Sequence, residues 1–186
     1  MRTTQYNKTL RLCVVAMMAA MAYVALVFLK VPVVLFLSYE PKDVFLTLIA
    51  LLVDPLAGML ATVAVAFLEM ITVSSTGLWG FLMNILSTGA FLLPVALLCR
   101  KHPTSARRLL GAACGVVTMT VTMLLWNFLI VPLYMGTTRA DVLPLLWSAF
   151  LPFNLLKGGI NAALVLLLFV PARAAFKAAK MLPGDG

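Results

Sequence analysis

Apolar runs long enough to form membrane-crossing helices recur along this 186-residue chain, separated by short polar or proline-bearing stretches. A helix needs roughly 20 mostly apolar residues to cross a bilayer core. On that measure the pattern predicts helices over about 9–29, 44–53, 55–73, 78–98, 109–131 and 145–170. The second is short for a full crossing. Between the first two, residues 30–43 carry two prolines and several β-branched residues, which disfavour helix. An extended loop is expected there, apolar at its start and polar at its end. A lid over the protein and an interfacial loop both fit that composition. Asp54 and Pro55 read as the N-cap and first residue of the third helix. The fold class is therefore all-α integral membrane: a six-transmembrane-helix bundle, with the extended loop between helices 1 and 2, forming one membrane domain over residues 1–186.

One predicted helix breaks its own apolar pattern. Asn154, Lys157, Gly158 and Asn161 follow an i, i+3, i+4, i+7 spacing and so share one face of the last helix. A lysine and two amides inside a membrane helix are costly unless something polar meets them. In the first helix, Ala16 and Ala20 form a small-xxx-small pair that would let another helix approach closely, within the chain or from a partner.

Composition agrees with the pattern: 63% of residues are hydrophobic, 11% are charged and the mean hydropathy is +1.09. Soluble proteins run at roughly 45–50% apolar and 25% charged. The net charge of +8 would suggest nucleic acid in a soluble protein. Here it fits basic residues flanking helices on the cytoplasmic side, and no nucleic-acid partner is expected. Ten of the 14 Lys and Arg residues fall in the N-terminus (Arg2, Lys8, Arg11), the helix 4–5 loop (Arg100, Lys101, Arg107, Arg108) and the tail (Arg173, Lys177, Lys180). In a six-span chain these segments share one side, so both termini are expected in the cytoplasm.

That orientation puts the polar membrane residues in one layer. Glu69, Asn84, Ser87, Thr88, Asn127, Asn154, Lys157 and Asn161 all fall in the outer halves of their helices, and the inner halves are almost wholly apolar. Such a chain predicts a pocket open to the outside and no continuous polar pore. For a single Asn or Ser the alternative is an interhelical hydrogen bond, worth about 0.6 kcal/mol on average. For Lys157 the alternatives are snorkelling outward or pairing with Glu69. Trp79, Trp126, Trp147, Tyr39, Tyr134 and Phe153 also fall on the outer side. An aromatic belt accounts for many of them, and a planar aromatic ligand would suit rings beside amide donors.

Enzymatic motifs are absent from the sequence: no GxxxxGK[ST], GxSxG or HExxH occurs, and the carboxylates are too dispersed for a metal cluster. The three cysteines have no metal or redox spacing. Uphill uptake would need a separate energised partner.

These residues resemble a known family. The chain is similar to the S components of the energy-coupling factor (ECF) vitamin transporters, in particular the riboflavin-specific type. The Ala16–Ala20 pair resembles the family's surface for the transmembrane coupling subunit. Residues 37–43, LSYEPKD, resemble the segment that closes over substrate, and residues 54–58, DPLAG, the tight helix 2–3 turn. Asn84 and Asn127 resemble ligand-facing positions. Phe153-Asn154-Leu155-Leu156-Lys157-Gly158 is the most specific match, and the resemblance implies that Asn154 and Lys157 hydrogen-bond the flavin ring or ribityl chain. It further implies riboflavin as transported ligand with no cofactor, a coupling subunit and two ATPase subunits as partners, and a bacterial cell membrane. The ligand-binding set expected is Tyr39, Asn84, Asn127, Phe153, Asn154, Lys157 and Asn161. Another vitamin or vitamin precursor is the alternative ligand, and a structural subunit with a Lys157–Glu69 pair is the alternative role.

Overall fold

The computed structural model describes residues 2–34, 37–74, 76–99 and 104–178. Among these residues seven α-helices carry the fold: α1 (Arg2–Phe28), α2 (Lys42–Leu52), α3 (Pro55–Thr72), α4 (Gly77–Cys99), α5 (Ser105–Met135), α6 (Arg139–Leu145) and α7 (Leu151–Ala178). Two short strands, β1 (Val31–Val34) and β2 (Leu37–Tyr39), join α1 to α2 as an antiparallel hairpin. Arg100, Lys101 and Lys180, which enter the orientation argument, lie outside the described residues.

Among the described residues, five helical stretches are long and apolar enough to cross a membrane: Lys8–Phe28, Pro55–Thr72, Gly77–Cys99, Ser105–Leu133 and Arg139–Lys177. The expected sixth, α2, has 11 residues. At 1.5 Å per residue it is about 16 Å long, half of a ~30 Å core. Hairpin and α2 together nevertheless return the chain along α1. Arg11, in the third turn of α1, lies 3.8 Å from Asp54, just past the end of α2.

Local chemistry explains the boundaries. Asp54 accepts the Leu56 N–H at 3.1 Å with Pro55 behind it, the expected N-cap. The helix of the C-terminal region is broken into α6, a π-helical turn over Leu146–Phe150, and α7. Pro152 lacks an N–H and its ring would clash with the carbonyl four residues back, at Ser148, so the ladder widens there. The expected helix over 145–170 thus has an irregular start. The expected extended segment ends earlier than residue 43, because Lys42 and Asp43 already form the first turn of α2.

The core gathers Val14, Met18 and Ala22 of α1, Leu46 and Ile49 of α2, Val65 of α3, Phe91 and Val95 of α4, Met119 of α5 and Val165 and Phe169 of α7. Glycine permits the closest approaches. A Cβ on Gly58 of α3 would sit 2.6 Å from the Ala50 Cβ of α2. A second cluster seats the hairpin: Leu37 packs with Val131, Val142, Phe150 and Phe153.

Candidate ligand-binding site

The polar stripe of α7 is buried: Asn154, Lys157 and Asn161 are shielded, and Leu155 and Leu156 between them are exposed. The 3.6-residue period therefore turns the stripe inward, as its spacing predicts. It faces the N-terminal end of α2 and the first half of α4.

Lys157 does not meet Glu69, the partner weighed above. Its Nζ lies 3.0 Å from Asp43 Oδ2. Asp43 is fully buried and also accepts from Thr88 Oγ1 at 2.7 Å and Asn161 Nδ2 at 3.3 Å. Tyr39 OH donates to Asn161 Oδ1 at 3.2 Å, tying the hairpin to α7.

Glu69 belongs to a second cluster. Lys42, 1% exposed, donates from Nζ to both Glu40 Oε2 and Glu69 Oε2. Lys30 Nζ reaches Glu40 Oε1 at 2.9 Å and Glu69 Oε1 at 3.6 Å, and Asn84 Nδ2 donates to Glu69 Oε2 at 2.7 Å. Burial alone would push the Glu40 carboxyl up, but Lys42, Lys157 and Lys30 outweigh it and hold the group at about 2. Burial, assisted by the Asp43 charge, pushes the Tyr39 phenol up to about 12, so it stays a neutral donor.

These clusters surround an open-mouthed cavity of about 80 Å³. Lys30, Glu40, Glu69, Asn84, Ser87, Phe153, Asn154 and Lys157 line it, with Met83, Met123 and Leu37. It lies at the bundle end where α1 and α3 finish and α4 begins. A narrower apolar slot adjoins it, sharing Thr76 and Met83, and is walled by Trp79, Trp126, Ile130 and Val131. Asn127 lies in that slot, fully buried, with neither its Nδ2 nor its Oδ1 hydrogen-bonded among the described residues. An amide so placed costs free energy until a partner offers both an acceptor and a donor.

Of the expected ligand residues, Asn84, Phe153, Asn154 and Lys157 line the cavity and Asn127 lines the slot. Tyr39 and Asn161 bond to each other behind Lys157 and line neither. Asn154 Nδ2 is spent on the Phe150 carbonyl of the π turn, at 2.8 Å. Ala16 and Ala20 lie on the exposed face of α1. Sequence reasoning missed Lys30, Glu40, Lys42 and Asp43 as site residues. A signal existed: three of the chain's six acidic residues, Glu40, Asp43 and Glu69, converge here, in a sequence with few charges.

The family described as "ECF transporter, substrate-specific component" matches residues 10–169. The riboflavin transporter RibU of Streptococcus thermophilus is 25% identical over 180 residues, covering 90% of this chain and 85% of that protein. A solved structure, described as "Structure and mechanism of the S component of a bacterial ECF transporter", superposes with a TM-score of 0.78 at 24% identity, over 91% of this chain and 99% of that one. The helical bundle with a polar cavity at one end is thus the fold of an S component. The chain belongs to the family of substrate-specific components of ECF transporters, a transporter component of the membrane rather than an enzyme.

Proposed function

We propose that this protein is the substrate-binding subunit for riboflavin uptake, and that the cavity beneath the hairpin is its outward-facing ligand pocket. The observation that carries the reading is Asn127. Its buried amide presents one donor and one acceptor, without partners among the described residues, in a slot flanked by Trp79 and Trp126. The pyrimidine edge of a flavin ring offers an N–H beside a carbonyl, the complement of that amide, and its flat rings suit an apolar aromatic slot. Hydroxyls of the ribityl chain would then enter the polar cavity, where Asn154 Oδ1, Asn84 and the remaining N–H groups of Lys157 can meet them. The transport of riboflavin by the S. thermophilus relative supports this choice.

In this reading the chain is one membrane domain whose six passages comprise five full spans and the hairpin–α2 return, so both termini lie in the cytoplasm. The basic N-terminus and tail support that orientation. The hairpin closes over the ligand. A coupling subunit that docks on α1 at Ala16 and Ala20, with two ATPase subunits, completes the transporter.

Riboflavin fluorescence titration of the purified protein tests the pocket. Protein purified from flavin-containing medium should be yellow, and bound flavin should be quenched. Asn127→Ala should weaken binding by about tenfold or more, the loss of one to two hydrogen bonds in a desolvated slot. A colourless protein whose melting temperature ignores added riboflavin would sink the reading in favour of another vitamin-like ligand.

A further inference from the structure

Among the described residues, the charges in and behind the ligand cavity balance: Lys30, Lys42 and Lys157 face Glu40, Asp43 and Glu69. Lys157 is met by Asp43 at 3.0 Å, and Lys42 by Glu40 and Glu69 together. Lys42 and Glu40 alone would already be a neutral pair. Glu69 adds a second carboxylate to them, and Lys30 balances it, 3.6 Å from Glu69 Oε1 and 2.9 Å from Glu40 Oε1. On the riboflavin reading, from which this follows, we propose that Glu69 is a specificity-determining residue: by engaging Lys30 and Lys42 it leaves the cavity no positive charge in excess, so the site takes an uncharged ligand and rejects its phosphorylated form.

Glu69 is the one charged residue of α3 and is buried among the helices. Such a carboxylate is costly within a membrane bundle. Pairing Lys42 would not by itself require it, since Glu40 already does so. Asn84 Nδ2 donates to Glu69 Oε2 at 2.7 Å and holds the carboxylate in place. Hydroxyls of a ribityl chain both donate and accept, so they can bond to either side of a matched ion pair. A phosphate monoester carries about −1.5 to −2 charges near pH 7 and mainly accepts. Beside Lys30 it would also lie against Glu40 and Glu69, and like charges at that range in a partly desolvated site repel strongly. It could bind only by displacing a carboxylate from its lysine, which leaves a buried charge uncompensated.

Titration of the purified protein with riboflavin and with riboflavin 5′-phosphate, at equal pH and ionic strength, tests Glu69. The readout is the ratio of the two dissociation constants, because a merely structural role would weaken both ligands alike. The wild type should bind the phosphate ester on the order of tenfold or more less tightly than riboflavin. Glu69→Gln keeps the shape of the side chain and leaves one positive charge in excess, so the ratio should narrow by about tenfold. If that variant does not fold, Lys30→Gln is compared with Lys30→Gln/Glu69→Gln, whose charges balance, and the ratio should narrow from the first to the second. Equal affinity of the wild type for both ligands, or a ratio that Glu69→Gln leaves unchanged in a folded background, overturns the proposal and leaves the riboflavin reading standing. Binding of neither ligand by the wild type would overturn the riboflavin reading and this proposal with it.

Discussion

Lys42 is the residue on which the hairpin end depends most. Its ammonium is buried between Glu40 and Glu69, and among the described residues only Lys30 also offsets those two carboxylates by direct contact. Removing one member of a buried ion network leaves uncompensated charge, at a cost of about 3–5 kcal/mol. Lys42→Met should therefore lower the melting temperature strongly in detergent, and Lys42→Met with Glu69→Gln should recover part of the loss. Equal melting of the wild type and single variant would remove Lys42 from this role. Glu40 adds a pH dependence. Its carboxyl is held at about 2 against an ordinary value of 4.5, so the folded state binds the proton less readily than the unfolded one. The resulting stabilisation is complete above pH 4.5 and is lost as pH falls from 4.5 towards 2. Melting temperatures across that window should fall less steeply in Glu40→Gln than in the wild type.

At the scale of elements, the tight joint between α2 and α3 makes its own prediction. A methyl group on Gly58 would meet the Cβ and the backbone of Ala50 at 2.6 and 3.0 Å, neither of which can swing aside. Gly58→Ala should destabilise by about 1–3 kcal/mol, the usual cost of overpacking, and thermal unfolding would show it. Such joints also mark how far the sequence could be read. The last helix's stripe was legible because period 3.6 maps spacing directly onto a face, and Asp54-Pro55 was legible because capping is local. The hairpin was legible only as extended backbone, since strand pairing between residues 31–34 and 37–39 depends on where the next elements lie. The partners of Lys157 and Glu69 were not legible at all. They depend on the register between α2, α3 and α7, and a lone acid elsewhere in a helix looks as good a partner as Asp43. Asp43 itself was hidden by reading it as the end of a loop, when it opens a helix whose first turn is buried.

For the whole molecule, the polar and apolar surfaces have separate tasks. The ionisable groups around the cavity are shared among α2, α3, α7 and the segment flanking the hairpin, so the cavity is internal to the bundle. The outward face of α1 contributes nothing to that cavity. It carries Leu12, Ala16, Met17, Ala20, Met21, Val24 and Phe28, all exposed, with the two alanines one turn apart. In a bilayer, apolar exposure alone creates no drive for association, because lipid tails cover it equally well. Small residues such as Ala16 and Ala20 would let a partner helix approach at backbone distance. Capture and coupling should therefore separate by mutation. Ala16→Trp and Ala20→Trp should leave riboflavin titrations of the isolated protein within about twofold of wild type, since neither side chain approaches the cavity. The same variants should lose co-purification with the coupling subunit and energised uptake by cells, because a ring at either position holds the partner backbone away. Undiminished uptake in both variants would move the coupling surface off this face of α1. Weakened binding in the isolated protein would instead show that α1 packing reaches the pocket, through the contacts of Val14, Met18 and Ala22 on its opposite side.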